Sequence, residues 1–278
     1  MLSVSVGPFV LALNHVLLFV ALALATLVGW LSGRRRKVNP ERALFGLFLL
    51  GLLFARLAFV LAYWTQYQPA PLSIADIRDG GFLIWPGVIA ILIGAVTYGW
   101  NHPAQRMPMG LAVASGLVFW GLSNIGLNAR QDATQLPDLI LRNANGEAVH
   151  LRDYRGKPLV INLWAAWCPP CRREMPVLAA AQQGHPDVTF LFVNQAESPR
   201  EVATFLAGQG LHLDNVLFDS SATLARQVGS SGLPTTLFYA SNARLTGSHV
   251  GELSDASLKH ALSTFSATEA PLPSRSTQ

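Results

Sequence analysis

Two cysteines, Cys168 and Cys171, stand three positions apart in the stretch Trp164-Ala-Ala-Trp167-Cys168-Pro169-Pro170-Cys171-Arg172-Arg173-Glu174-Met-Pro176, and the chain has no others. At that spacing both sulfurs can face one side of a helical turn and close into a disulfide, so the pair has the form of a dithiol switch. The thiolate is the reactive species, and a free cysteine keeps its proton up to about pH 8.5. Position has to lower that value. The apolar, β-branched run from Lys157 to Trp164 suits a buried parallel strand, and Arg172 to Gln182 is helix-forming. The cysteines therefore stand where a strand turns into a helix. The first-turn N–H groups and the positive end of the helix dipole favour a thiolate at Cys168, which is expected to be the exposed nucleophile with Cys171 as its partner. Pro169 and Pro170 are tolerated in a first turn, where a missing N–H costs no intrahelical bond, and they stiffen the loop between the sulfurs.

Competing readings of the pair are a structural bridge, half of a zinc site, or soft-ligand capture of Cu(I). A bridge across so short a loop constrains little of the unfolded chain. Zinc needs about four ligands, and there is no second cysteine pair to complete such a site. For copper, a Met cluster or a histidine beside Cys168 is missing. Redox chemistry is favoured, with no metal or other cofactor called for.

On these residues the chain resembles the TlpA/ResA/CcmG family of membrane-anchored, thioredoxin-like oxidoreductases, whose pattern runs N-x-W-A-x-W-C-x-x-C-x-x-E-x-P. The match covers about residues 136 to 265, with Asn162 six positions before Cys168 and Glu174 three after Cys171. The resemblance implies that Glu174 is a buried acid beside the cysteines; on its own, next to Arg172 and Arg173, it reads as part of a solvated helix face. Gly232-Leu233-Pro234-Thr235-Thr236 matches the second motif of the superfamily. The resemblance implies a cis bond before Pro234, with Pro234 against the disulfide, and places Leu233, Trp167, Pro169 and Pro170 at the substrate. Cys168, Cys171, Glu174 and Pro234 are the implied catalytic set.

The supporting elements follow in order. Leu139–Arg142 and Ala148–Leu151, joined by Asn143-Ala-Asn-Gly146, read as a β-hairpin. After the cysteine helix, which Pro176 should kink, come a strand at 188–194, a helix at 199–206 opened by Ser198 as N-cap, a strand at 216–218 and a helix at 222–228. A hairpin at 234–239 and 245–250 and a helix at 255–265 close the domain. This alternation supports an α/β thioredoxin-like fold with an inserted helix and strand. Residues 130–135 read as a polar linker that keeps the domain close to the membrane, and residues 266–278, rich in Ser, Thr and Pro, as a disordered tail.

The other half is of a different kind. Across 278 residues the hydrophobic fraction is 51%, and the mean hydropathy of +0.34 is too apolar for an ordinary soluble protein. Residues 1–129 carry eight Lys/Arg against three Asp/Glu, whereas residues 130–278 carry twelve against thirteen. The basic excess thus belongs to the apolar half, and nucleic-acid binding has no electrostatic support. An all-α domain of four transmembrane helices is expected over residues 1–129, with spans at about 9–31, 43–64, 82–100 and 109–128. A cleaved signal peptide is disfavoured for the first, because no basic segment precedes it and the small-residue stretch Ala21–Ala25 runs on into further apolar sequence. Arg34, Arg35, Arg36, Lys37 and Arg42 place the first loop in the cytoplasm, so that the N-terminus and the redox domain lie in the periplasm of a bacterial inner membrane. Arg56, inside the second span, either pairs with Asp76 or Asp79 at the outer side or snorkels to the interface near Tyr63 and Trp64. His15 reads as a tolerated polar group, since no second ligand is spaced to help it.

This half also resembles the first part of prolipoprotein diacylglyceryl transferase over roughly residues 5–125. The matching pieces are Gly7-Pro8, Ala55-Arg56-Leu-Ala-Phe-Val60 with Tyr63, and Asp79-Gly80-Gly81. Where that family carries a catalytic His-Gly-Gly, this chain has Ile84-Trp85-Pro86-Gly87. A functional tyrosine near Asn14 and the later Arg-rich half are also missing, so acyl transfer is disfavoured.

The expected activity is thiol-disulfide exchange on periplasmic proteins, most plainly reduction, with oxidation by the same pair or a copper or haem-assembly role as alternatives. No cysteine lies within residues 1–129 to relay electrons across the bilayer. A separate membrane reductase of the DsbD type is therefore the expected electron donor.

Overall fold

The computed structural model describes residues 3–6, 9–34 and 37–269. The chain forms two compact units, Leu13–Asn128 in one and Met1–Ala12 with Ala129–Gln278 in the other.

The first unit is helical: α1 (Leu13–Arg34), α2 (Glu41–Ala62), the short α3 (Trp64–Tyr67), α4 (Ile84–Asn101) and α5 (Arg106–Asp132). Among the described residues four helices are long and apolar enough to cross a membrane. Their outward surface is apolar, with Phe19, Leu53, Leu61, Ile93 and Leu122 all exposed. Small residues let α2 and α4 approach closely. A Cβ on Gly51 would fall 2.6 Å from the Ile91 side chain, and one on Gly87 would fall 2.8 Å from the Gly51 carbonyl.

Arg56 is buried rather than snorkelling, and the loop after α2 folds back to meet it. Its Nη1 donates to Asp79 Oδ1 and to the Gly81 carbonyl, each at 2.9 Å. Its Nε and Nη2 donate to the carbonyls of Ile74 at 3.2 and 3.1 Å, and Nη2 also reaches that of Asp76 at 2.7 Å. Tyr67 donates its hydroxyl to the other Asp79 oxygen at 3.1 Å. Of the two expected partners, Asp79 supplies the carboxylate, while the Asp76 carboxylate pairs with Arg78.

In the second unit a seven-stranded sheet runs in the order β4-β3-β7-β6-β5-β8-β9. The strands are β3 (Ile140–Asn143), β4 (Ala148–His150), β5 (Leu159–Trp164), β6 (Thr189–Gln195), β7 (Val216–Asp219), β8 (Thr235–Tyr239) and β9 (Leu245–Val250). β5, β6 and β7 are mutually parallel, and β8 lies antiparallel to β5 on its other side. The helices are α6 (Pro169–Gly184), α7 (Pro199–Gln209), α8 (Thr223–Val228) and α9 (Asp255–Glu269). This is the thioredoxin-like arrangement expected, with α7 and β7 as part of the mixed sheet's crossovers.

All six residues of β5 are buried because the sheet is covered on both faces. Strand alternation sends Leu159, Ile161 and Leu163 into one core with Leu191, Val193 and Leu237. Val160 and Trp164 go into the other, with Cys168, Cys171, Met175 and Leu178. Asn162, in phase with that second set, therefore points to the cysteine side. Each buried Leu-sized side chain contributes about 1.5–3 kcal/mol.

Several boundaries differ from those expected. Phe9–Ala12 is not the start of a span but a strand, β2, paired antiparallel with β1 (Ser3–Val6); the spanning helix begins at Leu13. An apolar run does not by itself distinguish strand from helix, and the 22 residues that remain still reach about 33 Å at 1.5 Å per residue. The hairpin belongs to the redox unit, where the Ser231 N–H donates to Ser3 Oγ at 2.8 Å. The linker is not free chain: residues 130–132 complete α5, and beyond them Leu245 N–H donates to the Thr134 carbonyl at 2.9 Å and Leu136 N–H to the Ala243 carbonyl at 2.8 Å. A polar segment whose backbone extends the sheet is ordered by those bonds whatever its side chains. At the other end α9 runs to Glu269, so the first four residues assigned to a tail are helical. Residues 270–278 lie outside the described residues.

Candidate functional site

The site is assembled at the start of α6. Cys168 is the N-cap, with extended backbone, and its Sγ accepts the N–H of Cys171 at 3.4 Å. Pro169 and Pro170 fill the first helical positions, where proline is preorganised and loses no bond. Pro176 is accommodated inside a helix that continues to Gly184. Cys168 and Cys171 are joined by a disulfide, with their Cα atoms 5.3 Å apart.

Cys168 departs from the exposed nucleophile expected: it is 3% exposed and Cys171 not at all. Both sulfurs belong to the apolar cluster of Trp164, Met175 and Leu178, against which Ala166 and Leu233 also pack. What the loop turns outward is Trp167, 66% exposed, and Pro169; Pro170 is half-buried. Arg172 lies over the Phe205 ring at 5.5 Å, and Phe205 in turn leans on Trp164.

Glu174 is on no solvated face. It is fully buried, one turn after Cys171. Its Oε1 accepts from Asn162 Nδ2 at 2.8 Å and its Oε2 from the Leu253 N–H at 3.0 Å. Asn162 also donates to Thr236 Oγ1 at 3.0 Å, which ties the motif around Pro234 to the cysteine helix through one amide. Burial is the largest influence on the Glu174 carboxyl and pushes it up from 4.5 to about 8; the Leu253 and Asn162 donors pull it down, and the negative charge of Glu252 pushes it up. A carboxyl with that proton affinity can hold or release a proton near neutral pH.

The Leu233–Pro234 peptide bond is cis. Pro234 is buried, its carbonyl accepts the Gly251 N–H at 2.9 Å, and Leu233 packs against the cluster that contains both sulfurs. The two sequence motifs thus meet through Leu233 and through Asn162–Thr236.

Two partners were missed at the sequence level. Glu197 Oε2 accepts the Ala166 N–H at 2.7 Å and Asn194 Nδ2 at 2.6 Å, anchoring the chain just before Cys168 to the end of β6. Its signal is positional: a carboxylate just past the C-terminal end of a parallel strand, where α/β sheets place their sites. Glu252, beyond β9, accepts Arg173 Nε at 2.8 Å and Nη2 at 2.5 Å. No sequence pattern links residues so far apart.

Residues 131–262 match the family model described as Redoxin, and residues 2–123 match that of prolipoprotein diacylglyceryl transferase. The thiol-disulfide oxidoreductase ResA of Geobacillus thermodenitrificans is 31% identical over 131 residues, which are 45% of this chain and 73% of that protein. The thioredoxin-like protein YneN of Bacillus subtilis is 29% identical over 136 residues, 48% of this chain and 79% of its own length. Of solved structures, a thiol:disulfide interchange protein of the thioredoxin family from Chlorobium tepidum is similar at 24% identity, covering 48% of this chain and 94% of that one with a TM-score of 0.42. With a disulfide pair at the start of α6, a buried acid one turn beyond and 31% identity over nearly three quarters of a ResA protein, the chain belongs to the ResA family of thiol-disulfide oxidoreductases.

Proposed function

We propose that the protein reduces disulfides of periplasmic proteins while its apolar helices anchor it in a bacterial inner membrane. The observation that carries this reading is Cys168 as N-cap of α6, its sulfur receiving the Cys171 N–H at 3.4 Å. A helix N-terminus stabilises charge on that sulfur more than on the one a turn further in.

In the reduced enzyme, the Cys168 thiolate attacks one sulfur of a substrate disulfide. That bond breaks, the first substrate sulfur leaves as a thiolate and takes a proton, and Cys168 is held in a mixed disulfide. Cys171 then gives up its proton and attacks the Cys168 sulfur, releasing the second substrate thiol. Two electrons have passed from the pair to the substrate, leaving the bridged state of the structure. Glu174, ionised, is suited to accept the proton leaving Cys171. Trp167 and Pro169 offer the substrate an outward apolar contact, and Leu233 packs against the cluster that holds both sulfurs, which supports a place for the motif around Pro234 on the other side of the pair.

The orientation is supported by the cluster Arg34–Lys37 and Arg42 in the first loop, which the positive-inside rule places in the cytoplasm. Since residues 1–129 lack cysteine, the bridged pair is re-reduced by an external dithiol, a membrane donor of the DsbD type. Expression of Cys171→Ala in cells should accumulate a covalent adduct between Cys168 and the physiological substrate. Trapping of the thiols in cells lacking the donor should find the pair bridged; a pair that stays reduced there would show that electrons arrive by another route or that the enzyme works as an oxidant.

A further inference from the structure

Successive residues of α6 grip successive residues of the loop after β9. Arg173 donates twice to one oxygen of Glu252, and Glu174 accepts the backbone N–H of Leu253. The first contact is at the surface, with Arg173 half exposed and the Glu252 side chain 22% exposed; the second is fully buried. One turn of chain thus carries an outer ion pair that holds the segment and an inner hydrogen bond that the segment delivers. Gly251, at the start of the same segment, is fixed to the Pro234 carbonyl. The loop is therefore anchored to the motif around Pro234 at one residue and to the cysteine helix at the next two.

We propose that Arg173 and Glu252 are positioning residues of the redox centre: their ion pair keeps the Leu253 N–H on the Glu174 carboxylate and offsets part of the Glu252 charge, and so sets the pH at which Glu174 can take a proton from Cys171. This rests on the role given to Glu174 above. The charged and titratable groups on the elements packed around Glu174 are Cys168, Cys171, Arg172 and Arg173 on its own helix, His249 at the end of β9, Glu252 in the loop, and Asp255, Lys259 and His260 at the start of α9. Of these, Glu252 acts on its proton affinity through charge, in the direction that opposes ionisation. Loss of Arg173 would leave that charge uncompensated and free the segment to draw the Leu253 N–H away. Both effects disfavour the carboxylate, so both push in one direction.

The test is the pH dependence of insulin-disulfide reduction by the full chain in detergent, between pH 5.5 and 9. The rate of the unaltered protein should rise with pH through a step that Glu174→Gln lacks. In Arg173→Ala that step should move up by about half a pH unit, the size expected of a partly exposed ion pair. The exchanged pair Arg173→Glu with Glu252→Arg should return it toward its original position, which a loss of general stability would not do. A step that stays in place in Arg173→Ala, or that the exchanged pair does not recover, overturns the inference and leaves the role of Glu174 standing. A Glu174→Gln profile that coincides with that of the unaltered protein overturns both.

Discussion

Asn162 Nδ2 lies 2.8 Å from Glu174 Oε1, a hydrogen bond that joins the central strand to the cysteine helix at full burial. A neutral amide is the group that can donate to this carboxylate without adding charge beside it. If Asn162 were an acid, two carboxyls at that separation could not both ionise and would share a proton. Asn162→Asp should therefore raise the pH at which Glu174 ionises and slow disulfide reduction at pH 7, with recovery at more alkaline pH. A pH-rate profile of the variant would check this.

Glu174 makes stability itself depend on pH. Its folded proton affinity lies near 8 against an ordinary 4.5, so between those values the native state binds more protons than the unfolded one. Stability from this group is fully present below about pH 4.5 and is lost as pH rises through about 8. Glu174→Gln, which cannot ionise, should flatten that decline. Melting of the oxidised protein and the variant at pH 5 and pH 8.5 should show the gap between them shifting in favour of the variant at the higher pH.

Trp167 is the large side chain that the redox loop leaves in solvent. Trp167→Ala should thus barely change the melting temperature but should raise the KM for a protein disulfide roughly tenfold, as loss of an aromatic contact in an interface does. Reduction of a small linear disulfide such as bis(2-hydroxyethyl) disulfide should be nearly unaffected. Steady-state kinetics on the two substrates separate these outcomes.

In the apolar half, Asp79→Ala should destabilise the detergent-solubilised protein by about 3–5 kcal/mol, because it leaves a buried guanidinium without its counter-charge. Arg56→Met combined with Asp79→Leu should be less harmful than Asp79→Ala alone. Neither change should alter the thiol-disulfide exchange rate of the fraction that remains folded, measured at low temperature.

Much of this site was legible in the sequence because its chemistry is local. Cys168 and Cys171 stand within one turn at the start of one helix, and the residues around Pro234 form one contiguous motif, whereas the burial of Glu174 came only from the family resemblance. The four apolar helices were legible for a similar reason, since a bilayer demands long runs of one residue class. What could not be read was set by tertiary contact. The burial of Cys168 depends on Leu233, more than sixty residues away, and the carboxylate that holds the Ala166 N–H comes from the end of a different strand. Residues 9–12 misled because Phe-Val-Leu-Ala fits an apolar helix as well as a strand. Residues 134 and 135 misled because their order comes from backbone pairing with Arg244 and Leu245, which side-chain polarity does not report.

The hydrogen bonds around Arg56 have a consequence for how the apolar half is made. Among the described residues, the acceptors of its guanidinium come from residues 73–81, which follow it in the chain by seventeen or more positions. With the helices in a membrane as proposed, those acceptors have not yet arrived when α2 enters the bilayer during synthesis, and the arginine must stay hydrated or hold the helix near the translocon. Only after the segment through Gly81 has emerged can the charge be enclosed, and α4 then closes on α2 through Gly51 and Gly87. The second and third spans should therefore integrate as one hairpin. Photo-crosslinkers placed in α2 should report the translocon in nascent chains that expose α2 but not Gly81, and lipid in chains that expose α4.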